Sequence, residues 1–152
     1  LGLQDLTAQQ IVEKLDQDAT VRPLAMRASV RPDHLLLSDG TTEVAMPIAG
    51  ERSFYLSIAP FENRTHDCHY HSLATCQGEL VKTPVHVEIK DAAGTVLVDE
   101  DATTYTNGFV GFWLPSNATG TVTVTANGKT GTAVFSSVTA TDATCLTTLR
   151  LR

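Results

Sequence analysis

Apolar positions near the start of the chain recur with the period of a helix, about 3.6 residues, and fall on one stripe. These positions are Leu6, Ile11, Val12 and Leu15. Thr7 lies at the start of this stripe and Gln10 follows three residues later, which is the spacing of a capping box. A polar stretch then leads to Pro23, before which a helix should already have ended. The pattern therefore predicts one short helix that begins after Thr7.

Beyond Pro23 the apolar and polar positions alternate with a period of two, which is typical of half-buried strands. The alternation predicts short strands over 24–30, 34–38 and 42–48. Asp39-Gly40 lies between the last two and is a favourable hairpin turn. Residues 1–50 are expected to form an N-terminal unit of one helix and short strands. This unit is too small for a core of its own, so it should pack on the remainder of the chain or on a second copy.

From Ser53 onward nearly every apolar segment predicts a strand. These segments are 54–61, 79–90, 95–99, 109–114, 120–126, 129–135 and 144–150. Asn127-Gly128 separates two of them and is the strongest hairpin signal in the chain. About seven short strands at close spacing predict an antiparallel β-sandwich of immunoglobulin-like architecture over 51–152. The expected fold class is mainly β.

Composition excludes several classes of function. The chain has 152 residues, of which 42% are hydrophobic, and a formal net charge of -6. A negative chain lacks the basic face that nucleic acids and anionic membranes attract, so neither is an expected partner. No apolar run reaches the roughly 20 residues that span a bilayer. The sequence begins without Met, and we expect an exported protein from which a signal has been removed.

Candidate chemistry is concentrated in the loop after the first strand of the sandwich. Residues 66–76 hold two cysteines and three histidines, and the third cysteine, Cys145, opens the last predicted strand. Thiols and imidazoles are soft ligands for transition metals. The eight-residue separation of Cys68 and Cys76 is too long for a zinc ribbon, although it can close a disulfide. One alternative is therefore a structural disulfide with the third cysteine buried as a small apolar residue.

The histidines of the cluster favour a metal site. His71 lies between the two thiols and is the imidazole best placed to join them, His66 is next, and His69 has the weakest case. Because loops gather at the ends of a sandwich, Cys145 could lie beside the cluster. Three thiolates would suit Cu(I), whereas zinc would require a fourth ligand such as His71. The aromatic and Gly-rich stretch 107–115 either packs in the core or lines one wall of this site.

Three stretches together resemble the CueP family of exported bacterial copper-resistance proteins. They are 66–80, with Cys-x-x-His-Ser-Leu-x-x-Cys-x-Gly-Glu-Leu beginning at Cys68, then 107–115 and 144–149, with 31–33 and 57–60 also similar. The resemblance covers nearly the whole chain, and its cysteine motif is specific. His69 is not part of the shared motif.

The resemblance implies a copper-binding protein of the periplasm or another extracytoplasmic part of the cell envelope. It implies that Cys68, Cys76 and Cys145 bind copper and that Cu(II) is reduced to Cu(I). It further implies copper supply to a superoxide dismutase, thiol-reducing partners of the Dsb type, and dimerisation through the N-terminal part in at least some members.

The leading hypothesis is a thiol-dependent cupric reductase. Its catalytic residues are the three cysteines, with His71 and His66 as further metal ligands, and Cys68 and Cys76 are expected to form the disulfide because they are close in sequence. A copper chaperone or storage module without redox turnover is the alternative. An interaction domain with a structural disulfide, and zinc in the same site, also remain open.

Overall fold

The structure is a computed structural model that describes residues 5–152, so the first four residues of the predicted N-terminal unit lie outside it. Helix α1 (Ala8–Asp16) begins at the predicted capping box. The Thr7 hydroxyl accepts the N–H of Gln10 at 3.2 Å, and the Gln10 side chain accepts the N–H of Thr7 at 2.9 Å. These two bonds satisfy backbone donors that the first turn of a helix leaves unpaired. No helix among the described residues is long and apolar enough to cross a membrane.

Eleven strands follow the helix. They are β1 (Arg27–Val30), β2 (His34–Ser38), β3 (Glu43–Pro47), β4 (Phe54–Ile58), β5 (His71–Ser72), β6 (Pro84–Asp91), β7 (Val96–Thr103), β8 (Val110–Leu114), β9 (Thr119–Ala126), β10 (Lys129–Ser136) and β11 (Cys145–Leu146). They form an N-terminal sheet in the order β3-β2-β1-β5, an outer sheet in the order β10-β9-β6-β7 and a central sheet in the order β11-β4-β8. The strand pairs are antiparallel, except that β11 runs parallel to β4.

The outer and central sheets form a β-sandwich, so the predicted fold class is confirmed. Their facing side chains make one apolar cluster, to which Val87 and Ile89 contribute from the outer sheet and Leu56 and Phe112 from the central sheet. Each of these residues alternates with a neighbour on the opposite face of its strand, as the period-two pattern requires. The core of the protein therefore lies between these two sheets.

Strand β4 is buried along its whole length because it has apolar neighbours on both faces. Leu56 points into the sandwich, whereas the adjacent Tyr55 packs in a second cluster with α1 and the N-terminal sheet. Leu73, next to β5, joins the same second cluster. Residues on both sides of position 50 thus share this core, and a separate unit of residues 1–50 stays a prediction.

The predicted turns explain two of the hairpins. Gly40, with φ of 94°, lies in the connection between β2 and β3. Asn127 and Gly128 have φ of 53° and 74°, and they join β9 to β10, as their sequence predicts. Proline in a sheet is usually confined to an edge strand or a bend, but β6, which contains Pro84, is an interior strand of the outer sheet. Pro84 is its first residue, a position where proline is tolerated within a sheet.

Candidate metal centre

The last strand is tied to the cysteine loop by backbone hydrogen bonds. The carbonyl of His69 accepts the N–H groups of Thr144 and Cys145 at 2.8 and 3.1 Å. The Thr144 hydroxyl accepts the N–H of His71 at 2.9 Å and donates to the carbonyl of Val30 at 2.7 Å. These bonds hold β11, the cysteine loop and β1 together, and they bring Cys145 to the cluster from a distant part of the sequence.

The three sulfur atoms lie together, as predicted, but the pairing differs from the prediction. Cys68 forms a disulfide with Cys145, and Cys76 is a free cysteine whose Sγ lies 3.5 Å from that of Cys68. The expected pairing of Cys68 with Cys76 is therefore wrong. The reason is that the bonds to His69, one residue after Cys68, bring Cys145 as close as the sequence neighbour. Sequence separation alone does not capture this long-range contact.

His71 is held in one orientation by a buried carboxylate. Its Nε2 lies 2.8 Å from Oδ1 of Asp16, and both side chains are completely buried. Asp16 also accepts hydrogen bonds from the Tyr55 hydroxyl at 2.6 Å and from Nδ2 of Asn107 at 2.7 Å. The other ring nitrogen of His71, Nδ1, faces Cys145 Sγ at 3.9 Å. Metal-binding imidazoles usually donate the N–H of their other ring nitrogen to a carboxylate, a backbone carbonyl or water, and this bond fixes the orientation of the ring.

Each member of this pair shifts the pKa of the other toward the charged form. Burial alone would lower the pKa of His71, but the negative charge and hydrogen bond of Asp16 raise it to about 9. Burial would likewise raise the pKa of Asp16, but attraction to His71 and its hydrogen bonds lower it below the usual value. Since a metal can bind only the neutral nitrogen, metal binding at Nδ1 would release a proton.

An apolar wall encloses the sulfur atoms on one side. Phe109, Ala59 and Cys145 form a small buried cluster against which Cys68 and Cys76 pack. The Phe109 ring also packs against the His71 ring at a tilt of 44°, with ring centres 4.5 Å apart. Of the two predicted roles for 107–115, lining the site therefore applies to Phe109, which keeps water from one face of the sulfurs.

All five predicted metal ligands lie in two overlapping groups. His66, Cys68 and Cys76 form the outer group, and His71, Cys76 and Cys145 form the inner group; within each, the candidate ligand atoms all lie within 4.8 Å of one another. His69 belongs to neither group, because its Nε2 lies 2.6 Å from the carbonyl of Thr141. The remaining histidines, His34 and His86, are partly exposed and lie beside aspartates.

Sequence reasoning did not single out Asp16 or Tyr55, and it identified Asn107 only as part of the stretch 107–115. Asp16 had a usable signal, because it lies four residues after Val12 and so continues the buried stripe of α1. A carboxylate on an apolar stripe must find buried partners. Tyr55 and Asn107 carry no such signal, since their bonds to Asp16 depend on the packing of three distant segments.

Comparison with known proteins identifies the family. The family model described as periplasmic copper-binding protein CueP matches residues 10–150. The chain belongs to the CueP family. The crystal structure of S.CueP is similar to this structure with a TM-score of 0.94 and 44% sequence identity, over 99% of this chain and 92% of that chain. No curated protein matches the chain. CueP proteins are periplasmic and bind copper, and the thiol and imidazole donors of both groups are chemically suited to that metal.

Proposed function

We propose that this protein reduces Cu(II) to Cu(I) with its cysteine thiols and then holds the Cu(I). The observation that supports the proposal is the disulfide between Cys68 and Cys145 with a third, free thiol beside it. Two thiols supply two electrons when they form a disulfide. Two Cu(II) ions would therefore become two Cu(I) ions, and two protons would be released. The disulfide state is the product that this reaction leaves.

Cys76 and His71 could bind the Cu(I) that the reaction produces. Cys76 stays outside the disulfide, and it belongs to the inner group together with His71. Thiolate and imidazole are soft ligands that suit Cu(I), so the oxidised protein keeps a pair of donors for its product. Cys76 would thus bind copper both before and after electron transfer, whereas Cys68 and Cys145 would supply the electrons.

Repeated turnover needs a reductant that reopens the disulfide. Thiol–disulfide exchange with a reduced dithiol protein is the reaction that does this, and we propose a Dsb-type protein as that partner. A copper-dependent superoxide dismutase is the proposed recipient of Cu(I), and the N-terminal unit is the proposed dimerisation region. These three proposals rest on the resemblance to CueP sequences.

Thiol counting during copper reduction tests the proposal. Fully reduced protein is mixed anaerobically with excess Cu(II), Cu(I) is measured with a chromophoric Cu(I) chelator, and the thiols are then mapped by mass spectrometry. We expect two Cu(I) ions for each protein and the loss of two thiols, at Cys68 and Cys145. The Cys68→Ser and Cys145→Ser variants should lose this activity, and the matched control His69→Ala should keep it. Absence of a Cu(I) signal from the reduced wild type would overturn the proposal.

The same experiment separates the other functions. A copper chaperone or storage protein would bind added Cu(I) but would leave all three thiols reduced after Cu(II) is added. A domain with a purely structural disulfide would show no dependence of copper binding on Cys76. Zinc in the same site is tested by competition, and we expect Cu(I) to displace Zn(II) because thiolates favour the softer ion.

A further inference from the structure

The two donor groups share one sulfur, and the disulfide joins the other two. Cys76 belongs to both groups, whereas Cys68 belongs only to the outer group and Cys145 only to the inner one. Reduction of the single disulfide therefore completes both groups at once. Because both need the Cys76 thiolate, we expect the two sites to be used one after the other by a single ion.

The groups differ in their access to solvent. Cys76 and His66 line a shallow depression of about 440 Å³, together with Asp67, Thr75 and Gln77. His66 also lines an adjoining cleft of about 290 Å³. The inner group is enclosed, since His71 is completely buried and Cys145 is only 4% exposed. An ion from solution can thus approach the outer group directly, whereas the His71 and Cys145 side chains of the inner group are buried.

The imidazoles of His71 and His66 also differ in their hydrogen bonding. His71 is fixed by its bond to Asp16, so it presents Nδ1 to the sulfurs without further ordering. His66 has a buried Nε2 that makes no hydrogen bond in the structure. A buried polar atom without a partner costs free energy, and a bound ion could relieve that cost. A hydrogen-bonded, oriented imidazole binds a metal more tightly than one without such a partner. We therefore expect the group that contains His71 to have the higher affinity for copper.

We propose that copper is captured by His66, Cys68 and Cys76 and then moves to His71, Cys76 and Cys145 while it stays bound to Cys76. The step exchanges the Cys68 thiolate for that of Cys145 and one imidazole for the other, so the oxidation state of Cu(I) does not change. The inference rests on the proposed copper chemistry of this site. It requires no reduction of copper, and it is tested with Cu(I) itself.

Loading kinetics and equilibrium affinity distinguish entry from final binding. Fully reduced protein is mixed anaerobically with Cu(I) supplied as its acetonitrile complex, and thiolate-to-copper absorbance is followed by stopped flow. Affinity is measured separately by competition with a Cu(I) chelator. We expect His66→Ala to slow loading severalfold with unchanged affinity. Cys145→Ser should load as fast as the wild type but should bind Cu(I) about tenfold or more weakly. Loss of a residue that only supports a metal ligand already lowers metal affinity by about 10–100-fold, and loss of a ligand should have at least as large an effect.

Two further variants complete the test. His71→Ala should resemble Cys145→Ser, and the latter remains decisive if loss of the buried imidazole prevents folding. His69→Ala is the matched control and should be unchanged in both measurements. Unchanged loading in His66→Ala would overturn the entry step, as would simultaneous binding of two Cu(I) ions. If no variant bound less Cu(I) than the wild type, the proposed function would fail as well, whereas altered affinity in His66→Ala with normal loading would overturn only the order of the sites.

Discussion

Asp16 on α1 and His71 on β5 form a completely buried hydrogen bond of 2.8 Å between Oδ1 and Nε2. The two residues are separated by 55 positions in the sequence. Their bond joins the N-terminal helix to the centre that holds the sulfurs. Because Asp16 fixes the ring of His71, packing of the helix and metal affinity should depend on each other.

Substitution of Asp16 tests this dependence. Asp16→Asn removes the charge that balances the buried His71 imidazolium, and loss of one partner from such a pair typically costs about 3–5 kcal/mol. We also expect Cu(I) affinity to fall by about 10–100-fold, since the ring loses its orienting carboxylate. Urea unfolding and chelator competition measure the two effects. Asp5→Asn, a change of the same kind at an exposed position before the helix, is the control and should alter neither. Unchanged copper affinity in folded Asp16→Asn would contradict the positioning role.

Reduction of the disulfide should destabilise the protein. Cys68 and Cys145 are separated by 77 positions, and closure of a loop of that length stabilises a fold by about 4 kcal/mol in the chain-entropy description. We expect the urea midpoint of wild type and Cys76→Ser to fall on reduction. The midpoint of Cys145→Ser should not respond, because this variant has already lost the bond. A response of Cys145→Ser equal to that of the wild type would show that another cysteine pair carries the stabilisation.

Local sequence signals predicted much of the fold. The capping box at Thr7 and Gln10 defines the start of α1, and Asn127-Gly128 defines the β9–β10 hairpin, because in both cases the interacting residues are neighbours in sequence. The apolar segment 54–61 likewise predicted a strand, though not that both faces of β4 are covered. That feature depends on packing against a second core.

The sequence predicted the candidate ligands of the site, but it did not predict their disulfide pairing or the hydrogen bond that orients His71. Cys68, His71 and Cys76 lie within one short stretch of sequence, which shows their chemistry directly. The disulfide partner of Cys68 depends on a parallel pairing of β11 with β4, which no local pattern encodes. The support of His71 by Asp16 depends on the docking of α1 near β5 in the same way. Long-range contacts of this kind leave little trace in the order of residues.

A close backbone contact behind the site should make Gly108 sensitive to substitution. Gly108 has φ of 79°, and a Cβ at this position would overlap the backbone of Gly78. Asn107 and Phe109, on either side, contact Asp16 and His71. Gly108→Ala should therefore destabilise the fold by several kcal/mol and weaken copper binding, because it combines backbone strain with a steric overlap.

The matched control for this prediction is Gly128→Ala. Gly128 has a similar φ of 74°, but a Cβ there would meet no atom within 4 Å. We expect it to cost only about 1 kcal/mol from backbone strain, with copper affinity unchanged. Thermal unfolding and chelator competition on both variants provide the measurement. Equal destabilisation of the two variants would show that strain, rather than the contact with Gly78, determines the effect.

Acid should weaken the turn that precedes β11 through a single carboxylate. Asp142 accepts the N–H groups of Thr139 and Val138 and the hydroxyl of Ser136. The bond from Thr139, followed by that from Ser136, lowers the pKa of Asp142 from 3.8 to about 2. A lowered pKa in the folded state means that the stabilisation is complete above about pH 4 and is lost as the pH falls through 2.

Unfolding measured between pH 5 and 2 checks the contribution of Asp142. In Asp142→Asn this part of the acid dependence should disappear, so the curves for variant and wild type should converge at the acid end. Ser136→Ala removes one donor and should move the loss of stability to a higher pH without abolishing it. Since the turn carries Thr141, whose carbonyl contacts His69, the same loss should loosen the segment that leads to Cys145. Parallel acid curves for wild type and Asp142→Asn would contradict the assignment, because they would place the titrating group elsewhere.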